Sequence, residues 1–139
     1  MQERTIRDVM TPNPSTLSAD STVAEAAKLM KREDVGVIPL VEGERLVGTV
    51  TDRDITIRVV AEGKDPTSVS IREVASTDLV TVDPQQNLAE ALRLMAEHQV
   101  RRLPVVEEDG RLVGIVAQAD VAQEAEPAQV GEAVEEISK

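Results

Sequence analysis

The segment Gly48-Thr49-Val50-Thr51-Asp52-Arg53-Asp54 holds the residue types that a phosphate and a sugar would need, placed where a β-branched run gives way to a helix start. Backbone N–H groups at a helix start are unpaired and partly positive, which suits a phosphate. Thr51 can donate its hydroxyl to a phosphate oxygen, Arg53 adds charge, and Asp54 offers two acceptor oxygens to the vicinal hydroxyls of a ribose. The same residues support a plainer reading, because Thr51-x-x-Asp54 is a capping box and Gly48 can serve a hairpin. The motif returns as Gly114-Ile115-Val116-Ala117-Gln118-Ala119-Asp120. Ala117 cannot cap, yet Asp120 remains. A carboxylate kept without its capping partner points to a second use, although aspartate near a helix start is favourable in itself.

Arg101 and Arg102 open the run V-R-R-L-P-V, where the other copy has Gly36 and Val37 in V-G-V-I-P-L. The fold does not need arginines there, since one copy does without them. They read either as a solvated strand entrance or as a phosphate clamp reaching into the pocket of the first copy. Arg53 with Arg58, and Arg101 with Arg102, are the two local concentrations of positive charge. The remaining polar residues carry less. His98, the one histidine, reads as a surface cation near a helix C-terminus, and Glu107, Glu108 and Asp109 as a solvated turn. One histidine and no cysteine leave no transition-metal cluster. No nucleophile pairs with a base, and nothing isolates two carboxylates in an apolar pocket. No catalytic residue, metal site or required cofactor is expected, and the chain reads as a non-enzyme.

These motifs are positioned by a repeat. Ile6 recurs as Ile71 and Gly48 as Gly114, with one extra residue in the Glu107–Gly110 turn of the second copy. Thr5-Ile6-Arg7-Asp8 and Ser70-Ile71-Arg72-Glu73 read as capping boxes of short opening helices. Pro12 and Pro14 break the first copy after its opening helix. Extended segments follow near Thr16-Leu17 and Val80-Thr81-Val82. Val23, Ala26, Ala27 and Met30, and then Leu88, Ala91, Leu92 and Met95, mark an amphipathic helix in each copy. Residues 35–41 and 100–106 read as buried strands, closed into hairpins by 45–51 and 111–117. Pro39 and Pro104 demand an edge or a bulge. Final helices begin at Asp52 and Gln118. The expected domains are 1–60 and 70–124, joined by a linker at 61–69. An acidic tail or helix over 125–139 would carry Val130, Ala133, Val134 and Ile137 as an apolar stripe.

Composition narrows the function. In 139 residues there is no Phe, Tyr, Trp or Cys, so any bound ring must be gripped by aliphatic side chains, and no disulfide or thiol chemistry is available. A net charge of −11 argues against nucleic acid or an anionic membrane as partner. The N-terminus lacks the apolar run of a signal peptide, and no stretch approaches the ~18 apolar residues of a membrane span. The expectation is a soluble, cytoplasmic protein.

The I-P-L-V and L-P-V-V strands, the G-h-h-T-x-x-D ending and the duplicated order resemble a tandem pair of cystathionine-β-synthase (CBS) domains, a Bateman module, over nearly the whole chain. The small stand-alone two-CBS proteins of bacteria are similar. The resemblance implies an α/β (α+β) fold, a pseudo-twofold pair of units ordered helix-strand-helix-strand-strand-helix, with two clefts and further pairing into a homodimer. It implies AMP, ADP or ATP as ligand, sensing of energy state or stress, and an effector protein that receives the signal. Carried over, Asp54 would hold ribose, Thr51 and Arg53 phosphate, and Thr16 and Ser18 would lie beside adenine. Ile38 and Pro39 would form an aliphatic wall, and Arg102 would reach across from the second copy. The Asp120 cleft departs from the pattern at Ala117, at Ala119 and at Val37 opposite. It is therefore expected to be weak or empty by about a hundredfold, the worth of two charge-assisted hydrogen bonds. The alternative is a structural or interaction dimer with no nucleotide bound.

Overall fold

Apolar period decides the order of elements in each repeat. The computed structural model describes residues 4–124. It contains α1 (Ile6–Val9), β1 (Thr11–Pro12), β2 (Leu17–Ser18), α2 (Val23–Glu33), β3 (Val37–Glu42), β4 (Arg45–Thr51) and α3 (Asp52–Ile55) in the first repeat. A π-helical stretch, Thr56–Val60, prolongs α3, and a 3-10 turn, Ile71–Glu73, opens the second repeat. Then come α4 (Leu88–His98), β5 (Arg102–Val106), β6 (Leu112–Ala117) and α5 (Gln118–Ala122). The tail expected over 125–139 lies outside the described residues.

The two long helices start on side-chain caps. Thr22 Oγ1 accepts from the Glu25 N–H at 3.2 Å and Asn87 Oδ1 from the Glu90 N–H at 3.0 Å, satisfying donors that a helix start leaves unpaired. Both helices end on a residue in the left-handed region, Asp34 at φ 54° and Gln99 at φ 53°. α4 buries Leu88, Ala91, Leu92 and Met95 as its spacing requires. In α2 the buried set is Val23, Ala26, Leu29 and Met30. Ala27, expected inside, is exposed. At 3.6 residues per turn, Leu29, Ala26, Met30 and Val23 fill one continuous arc of the helix, and Ala27 falls just beyond its edge.

Packing divides the chain elsewhere than the repeat does. One unit is Ser15–Leu79, called here the Asp54 unit; the other is Met1–Pro14 with Val80–Lys139, the Asp120 unit. Each repeat lends its opening to the other's core. Ile6, fully buried, packs in one cluster with Leu88, Leu92, Met95, Leu103 and Val116. Ile71 and Val74 pack with Val23, Leu29, Ile38, Leu40 and Val50. The sequence boundaries 1–60 and 70–124 therefore do not coincide with the packing units. Both expected capping boxes form, with Thr5 N–H on Asp8 Oδ2 at 2.9 Å and Ser70 N–H on Glu73 Oε2 at 3.1 Å.

The Asp54 unit holds the sheet β2-β3-β4, with β2 parallel to β3 and β3 antiparallel to β4. The Asp120 unit holds β1-β6-β5, antiparallel throughout. The strand β1 corrects the expectation that Pro12 only breaks the chain: Thr11 and Pro12 pair with Ile115 and Gly114. As an edge strand β1 can carry a proline whose missing N–H faces no neighbour. The expected bulges fall just past each hairpin proline, between Leu40 and Val41 and between Val105 and Val106. In the linker, the N–H of Thr67 and then its hydroxyl bind the Asp65 carboxyl and hold it below its usual range.

The crossing openings explain the motif glycines. A Cβ on Gly114 would lie 2.6 Å from Met10 Sδ and 2.9 Å from the Thr11 carbonyl oxygen. On Gly48 it would lie 3.1 Å from the Ser76 carbonyl oxygen. Methionine can move aside, but the Thr11 carbonyl belongs to a paired strand. Gly114→Ala is therefore expected to cost about 1–3 kcal/mol in urea unfolding, and Gly48→Ala less. Equal losses would show that the crossing segments yield freely.

Candidate functional site

Strand register decides which side chains share a face. Leu17 is level with Leu40, Pro39 with Thr49 and Val37 with Thr51. Ile38, Leu40 and Val50 are in the core, and Leu17 packs against them. Because side chains alternate along a strand, Thr16, Ser18, Val37, Pro39, Thr49 and Thr51 lie on the opposite face of the same sheet. This face carries four hydroxyls and an aliphatic pair. From Thr16 to Thr51 it spans two strand spacings and two residues, roughly 12 Å, about the length of a nucleoside monophosphate.

This placement corrects one expectation. Ile38 is 1% exposed and its side chain belongs to the core, so it cannot form a wall for a ligand. Val37, half-buried, and Pro39, itself buried, are the aliphatic residues on the face opposite the core. Thr49 shares that face, a position the sequence reading passed over. Ser18 Oγ accepts from the Asp20 N–H at 3.2 Å, which leaves its own hydrogen to donate. Thr16 also lines a cavity of about 400 Å³ with Lys28 and Arg32 of α2.

The capping box at α3 is real. Thr51 N–H donates to Asp54 Oδ2 at 2.9 Å, and Asp54 N–H donates to Thr51 Oγ1 at 3.0 Å. Both residues are half-buried. The box uses the acceptor side of the threonine and one oxygen of the aspartate. The Thr51 O–H hydrogen and Asp54 Oδ1 take no partner among the described residues. The two readings of this motif are thus compatible: capping fixes the side chains and leaves one donor and one acceptor free. Arg53 is exposed. Arg58, also exposed, is anchored through Nη1, which donates to the Val74 carbonyl oxygen at 3.1 Å and secures the end of the 3-10 turn. Gly36, also missed, stands against Asp52; a Cβ there would lie 3.1 Å from Asp52 Oδ2.

The matching face of the Asp120 unit has different chemistry. Arg102 is level with Ala117 and Pro104 with Ile115, while Leu103, Val105 and Val116 face the core. Arg101 and Arg102 are exposed, and neither makes an ion pair among the described residues. Ala117 gives α5 no side-chain cap. Asp120 is half-buried, with no side-chain hydrogen bond among the described residues. No group of three His, Cys, Asp or Glu side chains gathers as metal ligands among the described residues, and no described helix is long and apolar enough to cross a membrane.

Two small sheets flanked by helices, built from a duplicated motif, define a tandem α/β module. The chain belongs to the CBS domain family, which it matches twice, over residues 6–61 and 71–126. It is 48% identical over 117 residues to the CBS domain-containing protein YhcV of Bacillus subtilis, covering 84% of this chain and 82% of that protein. It is 41% identical over 120 residues to Hypoxic response protein 1 of Mycobacterium tuberculosis, covering 86% and 83%. The crystal structure of Hypoxic Response Protein I with two coordinated zinc ions superposes with a TM-score of 0.80 at 40% identity, covering 88% of this chain and 99% of that one. CBSX2 in complex with AMP gives 0.76 at 28% identity, covering 86% and 94%.

Proposed function

We propose that this chain is a non-enzymatic regulatory module that binds an adenine nucleotide, AMP, ADP or ATP, at Thr51 and Asp54. The observation that carries the reading is the half-used capping box, which leaves a fixed hydroxyl donor and a fixed carboxylate oxygen on one sheet end. Asp54 Oδ1 accepts the ribose hydroxyls, Thr51 and Arg53 face phosphate, and Thr16 and Ser18 lie toward the base with Pro39 beside it. AMP on the similar CBSX2 supports the ligand class. The likeness to a hypoxic response protein supports a role in sensing energy state or stress. Output passes through a homodimer to an effector protein, since a ligand shifts a conformational equilibrium only by binding two shapes unequally. The site of action is the cytoplasm.

Isothermal titration of AMP, ADP, ATP, NAD and S-adenosylmethionine tests this reading. Saturation near one adenine nucleotide per chain is expected, with S-adenosylmethionine disfavoured because its sulfonium repels Arg53. No heat from any of them would leave the structural-dimer reading. Arg53→Ala is expected to weaken AMP by about tenfold while leaving adenosine unchanged, the loss of one charge-assisted contact. An equal effect on both ligands would remove phosphate from the role of Arg53.

A further inference from the structure

The outer face of α2 departs from its repeat. In α4, Arg93 is closed between Glu90 and Glu97, at 2.6 and 2.7 Å. At the equivalent positions α2 has Glu25, Lys28 and Arg32. A cation thus stands where the other repeat completes its ion triad with a carboxylate. Lys28 and Arg32 lie one turn apart on one face, and like charges at that spacing destabilise a helix. Both are exposed, and neither makes an ion pair among the described residues. A cation late in a helix does favour the dipole, yet α4 carries Glu97 at the same place and forms a helix of the same length. The fold therefore does not require Arg32.

The two cations border a cavity of about 400 Å³, which Ser15, Thr16, Leu17, Glu25 and Leu29 complete. Leu29 belongs to the core cluster with Ile38 and Leu40, and Leu17 packs against it. The cavity thus opens on the helix side of β2, away from the face that carries Ser18, Pro39 and Thr51; Thr16, at the end of β2, borders both. Glu33, a nearby carboxylate of α2, is occupied by the Ser15 hydroxyl at 2.9 Å. Among the lining residues two cations face one carboxylate, in a chain whose net charge is −11.

We propose that this cavity binds a small organic phosphate, at a site separate from Thr51 and Asp54. Lys28 and Arg32 hold the dianion, whereas a carboxylate would answer only one of their two charges. Leu17 and Leu29 receive the carbon body, and Glu25 accepts from a hydroxyl group on it. The site stands whether or not the nucleotide-binding reading does.

The test follows the amide resonances of the full chain during titration with glycerol 3-phosphate and with inorganic phosphate, each with and without saturating AMP. Saturable shifts are expected at residues 15–17 and 25–32 with glycerol 3-phosphate, and weaker binding of inorganic phosphate. Arg32→Gln should weaken glycerol 3-phosphate about tenfold, and Arg32→Glu, which places the carboxylate of the other repeat there, should abolish binding. Unchanged resonances elsewhere in α2 would show that both variants keep the helix. AMP should leave the affinity for glycerol 3-phosphate unchanged. Three results would overturn the proposal: no saturable shift, affinity indifferent to both Arg32 variants, or inorganic phosphate binding as tightly as glycerol 3-phosphate. Displacement of glycerol 3-phosphate by AMP, with its shifts at Thr51–Asp54, would refute the separate site and spare the first.

Discussion

Replacing Asp54 with alanine is expected to weaken AMP binding by at least a hundredfold, and replacing it with asparagine by less. Hydrogen bonds to a charged group contribute about 1.5–3 kcal/mol each, so losing two costs roughly two to four decades of affinity. Asp54 also accepts from the Thr51 N–H at 2.9 Å, and alanine removes that bond as well. Cap loss costs about 0.5–2 kcal/mol of stability, so a weakened alanine variant alone would be ambiguous. Asparagine separates the roles. Its carbonyl oxygen can keep the Thr51 N–H, while its uncharged amide offers the ribose a poorer partner. The expected pattern is a near-normal melting midpoint for Asp54→Asn with affinity down about tenfold, against a lowered midpoint and near-complete loss of binding for Asp54→Ala. Calorimetry and thermal melts on the same samples decide it. AMP binding unchanged in both variants would reduce Asp54 to a helix cap.

The sequence made the repeat, the helices and the motif legible because each is a local pattern. Leu88, Ala91, Leu92 and Met95 announce their face by spacing alone. Ile38 was misplaced for a physical reason: Val35–Val41 is apolar almost throughout, so period two gives no phase, and only the pairing with β4 shows which residues point inward. The crossed openings were illegible because Ile6 and Ile71 are the same residue in the same motif. Either could complete either core, and no sequence term distinguishes the partners. That Arg58 is anchored could not be read either, because its partner is a backbone carbonyl, that of Val74, sixteen residues on. Lys28 and Arg32 carried no signal, since cations late in a helix are ordinary and only the cavity beside them and the closed triad of α4 set them apart.

Ile6→Ala should be among the most damaging single substitutions, about 2–5 kcal/mol, because Ile6 is fully buried and alanine leaves a cavity. Where the damage falls matters more than its size. Ile6 belongs to the first repeat but packs with Leu88, Leu92 and Met95 of α4. Hydrogen exchange should therefore show early loss of protection in α4 and β6, with α2 and β3 retained, since opening free energies differ between cooperative segments. Ile71→Ala should do the reverse, loosening α2 through the core it shares with Val23 and Leu29. Loss of protection in α2 on Ile6→Ala would mean that each repeat closes on itself. The crossed arrangement has a consequence for folding. Neither unit can finish until both repeats are present, because each core takes its opening isoleucine from the other. A fragment of residues 1–69 lacks Ile71 and Val74, and its own Ile6 has no core to enter. Such a fragment is expected to stay unfolded by circular dichroism, although it contains every residue of the Thr51–Asp54 site.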